Sequence, residues 1–160
     1  MEIRKAKTCD FDCIKAIYAY ARKVMKENGN YAQWKDSYPT DEIIKDDLEK
    51  EQLYVCIDGD EIVAVFMYTN ELEPTYAVIE GKWMNDLPYG TMHRVASTGK
   101  VKGVTTRIFS WCYEQCKNLK ADTYKDNKIM QHLFEKNGFK KCGIIYLEDG
   151  SERLAYQLIK

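Results

Sequence analysis

The chain has 160 residues, which suffices for one ordinary domain around a single core. Its 24 basic and 25 acidic residues nearly cancel to a net charge of −1, so no whole-molecule field favours nucleic acid or an anionic membrane as a partner. The amino-terminal sequence lacks the apolar run of a signal peptide, and no stretch is long and apolar enough to span a membrane. We therefore expect one domain over residues 1–160, located in the cytoplasm.

The first third of the chain predicts a strand and two helices. Residues 2–7 alternate about Ile3 as a strand does, and Thr8 or Asp10 can cap a helix that ends at Asn28-Gly29. A second helix begins after Thr40, with acidic residues in its first turn.

The segment between these helices contains three aromatic residues without a clear period, and we read it as a loop. The three residues are Tyr31, Trp34 and Tyr38. Two interpretations are open: the rings pack the loop onto the core, or they line an acceptor pocket, since concave binding sites are largely apolar and aromatic.

Two strands follow, at residues 53–57 and 61–68, and the turn Asp58-Gly59-Asp60 between them predicts an antiparallel hairpin. Residues 62–67 are apolar on both faces, as expected of a central strand. Residues 70–90 are broken by Pro74 and Pro88 and have no clear regular element. Side chains in this segment either line a site or pack against the core: Tyr76, Glu80, Trp83, Asn85 and Asp86.

Residues 91–119 change their apolar period from two to about 3.6 across a basic turn at residues 97–103. The pattern predicts a strand, a phosphate-binding turn and a helix. A helix start presents unsatisfied N–H groups and the positive end of the helix dipole, so Gly103, Val104 and Thr105 could donate to a phosphate. Lys100, Lys102 and Arg107 would add positive charge. A nucleoside-triphosphate loop is disfavoured because Val101, and not Ser or Thr, follows Gly99-Lys100.

The remaining sequence predicts a short strand at residues 120–124, a helix capped by Asp126 or Asn127 and ended by Gly138, and two closing strands at residues 141–147 and 153–159. The predicted order is β-α-α-β-β-β-α-β-α-β-β.

The six cysteines fall in predicted helices and apolar strands and are interpreted as small core residues in a reducing compartment: Cys9, Cys13, Cys56, Cys112, Cys116 and Cys142. With two histidines and no CxxC pair, no metal site is expected.

The turn resembles the acyl-CoA pyrophosphate loop of the GNAT superfamily of N-acetyltransferases. The matching residues are Lys100-Val101-Lys102-Gly103-Val104-Thr105, after a strand that ends Val95-Ala96-Ser97. That loop usually reads Arg/Gln-x-x-Gly-x-Gly/Ala, so Lys100 and Thr105 depart from it, and the turn is about two residues short. A second resemblance starts at Asn127 and runs through a helix to Gly138-Phe139, which is similar to the family's last signature. Together they imply an α/β (α+β) single-domain GNAT-like fold, a mixed, splayed sheet of about seven strands flanked by about four helices.

The resemblance also implies a reaction, the transfer of an acetyl group from acetyl-CoA to an amine substrate. In that family the backbone of Val95, Ala96 and Ser97 would hold pantetheine, and the loop from Lys100 to Thr105 would hold the pyrophosphate. Asn127 either contacts CoA or serves only as a helix cap. The acetyl-CoA cosubstrate would need no metal.

Catalysis would need a base for the amine and an N–H donor for the oxyanion. The candidate bases are His93 and Glu80, and an N–H near Val95 or Ala96 is the candidate donor. The tyrosine that often reprotonates the thiolate in this family corresponds to Phe134, which has no proton to give. Tyr124 and Tyr146 are substitutes by residue type, although a CoA thiol can leave without a dedicated acid.

Two other functions compete with an acetyltransferase: a catalytically silent acyl-CoA-binding module, and a nucleotide or phosphate binder that shares only the loop. Glu80 and Asp86 near aromatic residues would suit a cationic amine, but superfamily membership does not choose the acceptor. A homodimer is possible.

Overall fold

The computed structural model describes every residue from Met1 to Lys160. Its helices are α1 (Phe11–Glu27), α2 (Tyr31–Trp34), α3 (Asp41–Glu49), α4 (Val104–Cys116) and α5 (Lys128–Lys136). Its strands are β1 (Glu2–Lys5), β2 (Leu53–Asp58), β3 (Glu61–Thr69), β4 (Glu80–Gly81), β5 (Gly90–Ser97), β6 (Leu119–Thr123), β7 (Lys140–Tyr146) and β8 (Glu152–Leu158). Two 3₁₀ turns occur, at Thr8–Asp10 and Pro74–Tyr76.

The eight strands form a mixed sheet in the order β1-β2-β3-β5-β6-β8-β7-β4. β1, β2 and β3 pair antiparallel, as do β6, β8, β7 and β4, whereas β5 and β6 are parallel. The β5–β6 register consists of Gly90↔Leu119 and Thr91↔Lys120, although β5 continues to Ser97. The predicted α/β class with a mixed, splayed sheet is therefore confirmed.

The chain divides into two compact units, and the first contains Met1–Tyr68 and His93–Ile108. One face of α1 packs on α3 and on the inner side chains of β2 and β3 because its apolar residues recur at helical spacing. The buried members of this core are Ile14, Ile17, Tyr18, Trp34, Ile44, Leu53, Val55, Val65, Met67 and Ala96.

The second unit contains Thr69–Met92 and Phe109–Lys160. Four rings form one aromatic cluster, in which the Phe134 ring centroid lies 5.4 Å from Phe109, 4.9 Å from Phe139 and 4.8 Å from Tyr156. A separate core cluster contains Tyr76, Tyr89, Ile145 and Ala155.

Two elements of the structure are missing from the prediction because they are too short to show a period. Part of the predicted loop at residues 31–38 is the four-residue helix α2, which gives five helices and not four. The two-residue strand β4 lies inside the segment with no predicted element and makes the sheet eight-stranded. A Cβ at Gly81 of β4 would overlap the carbonyl oxygen of Cys142, and a Cβ at Gly143 would overlap that of Glu80.

The prediction that all six cysteines are core residues is also wrong. All are free thiols, but Cys9 and Cys13 are exposed and only Cys56 and Cys112 are buried. Cys9 lies in the 3₁₀ turn, and Cys13 lies on the outer face of α1. Burial raises the pKa of Cys56 to about 11, which makes that thiol a poor nucleophile. No helix of the protein has the length and apolarity to cross a membrane.

Candidate functional site

The turn between β5 and α4 has the features of an anion-binding loop. Gly99 and Gly103 have φ of +75° and +76°, a conformation that favours glycine. The first bond of α4 runs from the N–H of Arg107 to the oxygen of Gly103, at 3.1 Å, so the amides of Gly103, Val104 and Thr105 precede the first helical donor. A Cβ at Gly103 would meet nothing within 4 Å, which leaves open space before these amides. The loop therefore fits a phosphate group.

The basic side chains of this loop differ in their availability. Lys100 pairs with Glu61 of β3, and that hydrogen bond raises the pKa of Lys100. Lys102 and Arg107 are exposed and form no ion pair, so their charges are available to an anion. Val101 is half-buried and Val104 is buried, so they anchor the turn. Two of the three predicted cations are thus free for a ligand.

The end of β5 leads directly into this turn. The N–H of Thr98 donates to the carbonyl of Val63 on β3, at 2.9 Å. Ala96 is buried in the first core, whereas Val95 and Ser97 are half-buried. The β5–β6 register ends at Thr91, so backbone groups at Val95, Ala96 and Ser97 take no part in it. On its other edge β5 neighbours β3, so only the groups that point away from β3 need another partner, which a ligand can provide.

Arg94 interrupts β5 with a left-handed backbone, φ +54°. Its guanidinium donates from Nε and Nη2 to the carboxylate of Asp47, both at 2.8 Å, and from Nη1 to the hydroxyl of Tyr38, at 3.1 Å. The hydroxyl of Tyr18 donates to the Arg94 carbonyl at 2.9 Å. Burial opposes the charge, but the contacts with Tyr38 and Asp47 outweigh it and raise the pKa of Arg94. α1 and α3 therefore both hold this residue of β5. Sequence reasoning missed the network, because the alternating pattern around Arg94 indicates only a strand.

The aromatic segment is used mainly for packing. Trp34 is buried, with its ring centroid 5.8 Å from Tyr18 and 6.0 Å from Tyr38. Tyr31 is exposed and donates to Asp36. A pocket of about 240 Å³ lies beside this segment and is lined by Lys15, Tyr18, Arg22, Ser37, Pro39, Thr40, Asp41 and Ile44. Of the three predicted rings, none lines it.

The predicted base residues lie in different units. His93 is half-buried on β5 in the first unit. Glu80 is exposed on β4 in the second unit and accepts a hydrogen bond from Tyr146, which raises the pKa of that tyrosine. The loop residues from Lys100 to Thr105 belong to the first unit, with His93.

Tyr124 and Asn127 lie in the second unit, near the start of α5. The guanidinium of Arg153 lies 4.9 Å from the centre of the Tyr124 ring. The side-chain oxygen of Asn127 accepts from the N–H of Met130 at 3.0 Å, so Asn127 is the helix cap. Phe134 is 3% exposed in its aromatic cluster, and its phenyl ring has no proton to transfer.

Asp122, on β6, is a further residue that sequence reasoning did not select. Its Oδ2 accepts from the hydroxyl of Tyr76 at 2.6 Å, and it forms no ion pair. The sequence gives no clear signal for it, because β6 also contains the polar residues Lys120 and Thr123. No group of acidic, histidine or cysteine residues has the arrangement of a metal site.

Solved structures include similar proteins. An acetyltransferase of the GNAT family from Streptococcus agalactiae 2603 is 30% identical, and the match covers 99% of this chain and 95% of that one, with a TM-score of 0.90. A candidate acetyltransferase from Staphylococcus aureus Mu50 is 25% identical over 99% of both chains, with a TM-score of 0.73. A ribosomal-protein-alanine N-acetyltransferase from Brucella melitensis shares the fold at 18% identity over the full length of both chains, with a TM-score of 0.69. No protein-family model and no curated protein matches the sequence.

Proposed function

Because this chain belongs to the GNAT family of acetyltransferases, we propose that it is an N-acetyltransferase that moves the acetyl group of acetyl-CoA to a primary amine. Fold and family support an acyltransferase-type function. The finer assignment, to acetyl-CoA and an amine, rests on the turn between β5 and α4. We further propose that the protein acts in the cytoplasm on an amine substrate and without a metal, nucleic acid or membrane partner. A homodimer remains compatible with this proposal.

The observation that carries the proposal is the open space in front of Gly103, beside helix amides that have no acceptor within α4. A diphosphate would accept hydrogen bonds from the amides of Gly103, Val104 and Thr105 and would be neutralised by Lys102 and Arg107. Lys100 would join them by leaving its ion pair with Glu61, which costs little because solvent screens an exposed pair. Val101 would keep the turn anchored.

The backbone of Val95, Ala96 and Ser97 would hold the pantetheine arm, because the β5–β6 register does not use it. Bound acetyl-CoA would supply an acetyl thioester, which a neutral amine can attack directly. An N–H of Val95 or Ala96 would donate to the oxyanion. The network around Arg94 would fix the direction of these amides, because it holds the preceding residue at both its side chain and its carbonyl.

Side chains for proton transfer remain proposals by residue type. His93 or Glu80 would take the proton of the amine, directly or through water. Tyr124 would return a proton to the thiolate, because Phe134 has none. Asn127 would contribute a polar contact at the start of α5 beside its capping role.

Calorimetric titration with acetyl-CoA tests the loop. We expect micromolar binding by the unmodified protein and its loss in Gly103→Asp, which introduces a side chain and a negative charge before the helix amides. Gly150→Asp is the matched control, because Gly150 has φ +84° and equally open surroundings. Backbone strain is therefore similar in the two variants, and only the position differs. Equal binding by Gly103→Asp and the control would refute the assignment.

A catalytically silent acyl-CoA-binding module is the second candidate, favoured by the burial of Phe134 at the usual acid position. The two functions differ in turnover. Release of CoA thiol with a panel of primary amines would support the enzyme, and tight acetyl-CoA binding without turnover of any amine would support the module. Competition by ATP as strong as by CoA would instead indicate a general phosphate binder.

A further inference from the structure

Asp122 is a half-buried carboxylate without a cation. Its Oδ2 accepts one hydrogen bond from Tyr76, its Oδ1 accepts none, and no lysine, arginine or histidine forms an ion pair with it. The more deeply buried carboxylates behave differently, since Asp10 and Asp47 each lie 2.8 Å from an arginine nitrogen. Partly burying a carboxylate is costly unless a cation or several donors compensate it. Asp122 therefore has one oxygen and most of its charge available to an incoming group.

Tyr76 fixes the orientation of this carboxylate. It is 3% exposed, and its hydroxyl lies 3.4 Å from Oγ1 of Thr91 as well as 2.6 Å from Asp122. Its carbonyl accepts from Nε1–H of Trp83 at 2.9 Å. Burial and the negative charge of Asp122 both raise the pKa of Tyr76, so the hydroxyl stays protonated and remains a donor. Because Tyr76 is held through both its hydroxyl and its backbone carbonyl, its hydrogen bond restricts rotation of the Asp122 carboxylate.

The surroundings of Asp122 suit an ammonium group. The hydroxyl that donates to Asp122 belongs to Tyr76, whose ring centroid lies 5.3 Å from that of Trp83 and 6.1 Å from that of Tyr89, and the faces of aromatic rings attract alkylammonium ions. The ammonium of Lys120 already makes such a cation–π contact, 4.5 Å from the centre of the Trp83 ring. Lys120 lies two residues from Asp122 on β6 but forms no ion pair with it, so this ammonium does not occupy the carboxylate oxygens.

Asp122 also lies at the point where β6 loses a partner. Its strand neighbour on one side is Ala155 of β8, whereas the register with β5 ends two residues earlier, at Thr91↔Lys120. The carboxylate is therefore next to a part of β6 that has only one paired edge in these registers.

We propose that Asp122 binds the acceptor as an ammonium ion, which releases one proton to a base or to water before its nitrogen attacks, and that Tyr76 is the positioning residue of this carboxylate. The acceptor class is then a primary amine that is cationic at neutral pH. This inference rests on the proposed acetyltransferase function, which it deepens by naming the substrate class.

The test uses butylammonium as the probe and the indole N–H signal of Trp83 in nitrogen-labelled protein as the readout, with and without acetyl-CoA. Trp83→Phe assigns that signal. We expect butylammonium to shift it and butanol, which has no charge, to leave it unchanged. In Asp122→Asn, which retains the shape and an acceptor for Tyr76, we expect the dissociation constant for butylammonium to rise at least about tenfold, or about 1.4 kcal/mol.

Glu148→Gln is the control, because Glu148 is an exposed carboxylate of the same unit that forms no ion pair, and the dissociation constant of this variant for butylammonium should stay within about twofold of that of the unmodified protein. Tyr76→Phe should weaken binding less than Asp122→Asn, because the charge remains. In turnover, Asp122→Asn should raise KM for butylamine and leave KM for aniline, which is uncharged at neutral pH, nearly unchanged. Equal butylammonium affinity in Asp122→Asn and unmodified protein, or no shift at saturating amine, would overturn the proposal.

The two proposals fail separately. Acetyl-CoA titration of Asp122→Asn should match the unmodified protein, which shows that the variant is folded and that the loop is intact. If the unmodified protein binds no acetyl-CoA but butylammonium binding still depends on Asp122, the acetyltransferase function falls and the ammonium site stands.

Discussion

The ion pair between Asp47 and Arg94 provides a quantitative test of how β5 is held. Asp47→Asn removes the charge from a side chain that is 5% exposed and leaves the guanidinium, 14% exposed, without its counter-ion. Breaking a buried pair on one side typically costs about 3–5 kcal/mol. Because Tyr38 still accepts from Arg94 and asparagine keeps one acceptor, we expect the lower end, about 3 kcal/mol.

Urea denaturation measures this loss directly, and thermal unfolding should show it as a fall in Tm of roughly 6–12 °C for a chain of this size. Asp46→Asn is the matched control, since Asp46 is the neighbouring carboxylate of α3 and pairs with Lys50 at 3.0 Å, with both side chains 55% exposed. That substitution should cost less than about 1 kcal/mol. The double change Asp47→Leu with Arg94→Met should recover part of the loss, because it leaves no buried charge unpaired.

Equal stability losses in Asp47→Asn and Asp46→Asn would refute this reasoning. The reasoning would also fail if the double variant lost more free energy of unfolding than Asp47→Leu and Arg94→Met lose together as single variants. Either result would mean that the left-handed backbone of Arg94 is held by packing alone.

Two further predictions concern stability. The hydrogen bond from Arg4 lowers the pKa of Asp10 in the folded protein. The stabilisation that the Asp10 carboxylate provides is therefore present above its unfolded pKa of 3.8 and is lost as the pH falls through the lower folded value. The difference in urea midpoint between the unmodified protein and Asp10→Asn should accordingly vanish in acid and be largest near neutral pH. Phe134→Ala should lower the free energy of unfolding, measured by urea denaturation, by about 3–5 kcal/mol because it leaves a cavity in the aromatic cluster. Ile129→Ala on the same helix, where the side chain is 49% exposed, should cost less than about 0.5 kcal/mol. A similar loss in both would contradict the cluster's role.

Local patterns made much of the fold predictable. The turn between β5 and α4 was found because the apolar period changes across it, and Gly103 has the positive φ that such a turn requires. The caps at Thr40 and Asn127 were also found, since each side chain accepts from an N–H three residues later. Asp10 precedes α1 as predicted, but its carboxylate accepts from Lys7 and Arg4 instead of capping the helix.

Contacts between distant residues could not be predicted in this way. Asp122 and Tyr76 are 46 positions apart, and Arg94 and Asp47 are 47 apart, so no periodicity or spacing connects them. β4 is a strand only because β7 pairs with it, and two residues contain no period. The turn between β5 and α4 was therefore predictable from local sequence, whereas contacts between side chains that the sheet brings together were not.

The two glycines that face each other across β4 and β7 have a consequence for solubility. Without a side chain at either position, the short strand can lie directly against β7 and cover the N–H and C=O groups at one margin of the sheet. Uncovered margins of this kind recruit strands from other molecules and lead to aggregation. Gly81 and Gly143 thus allow the two-residue strand β4 to cover the edge of β7. A methyl group at either position would displace β4 and expose that edge to pairing with other copies of the protein.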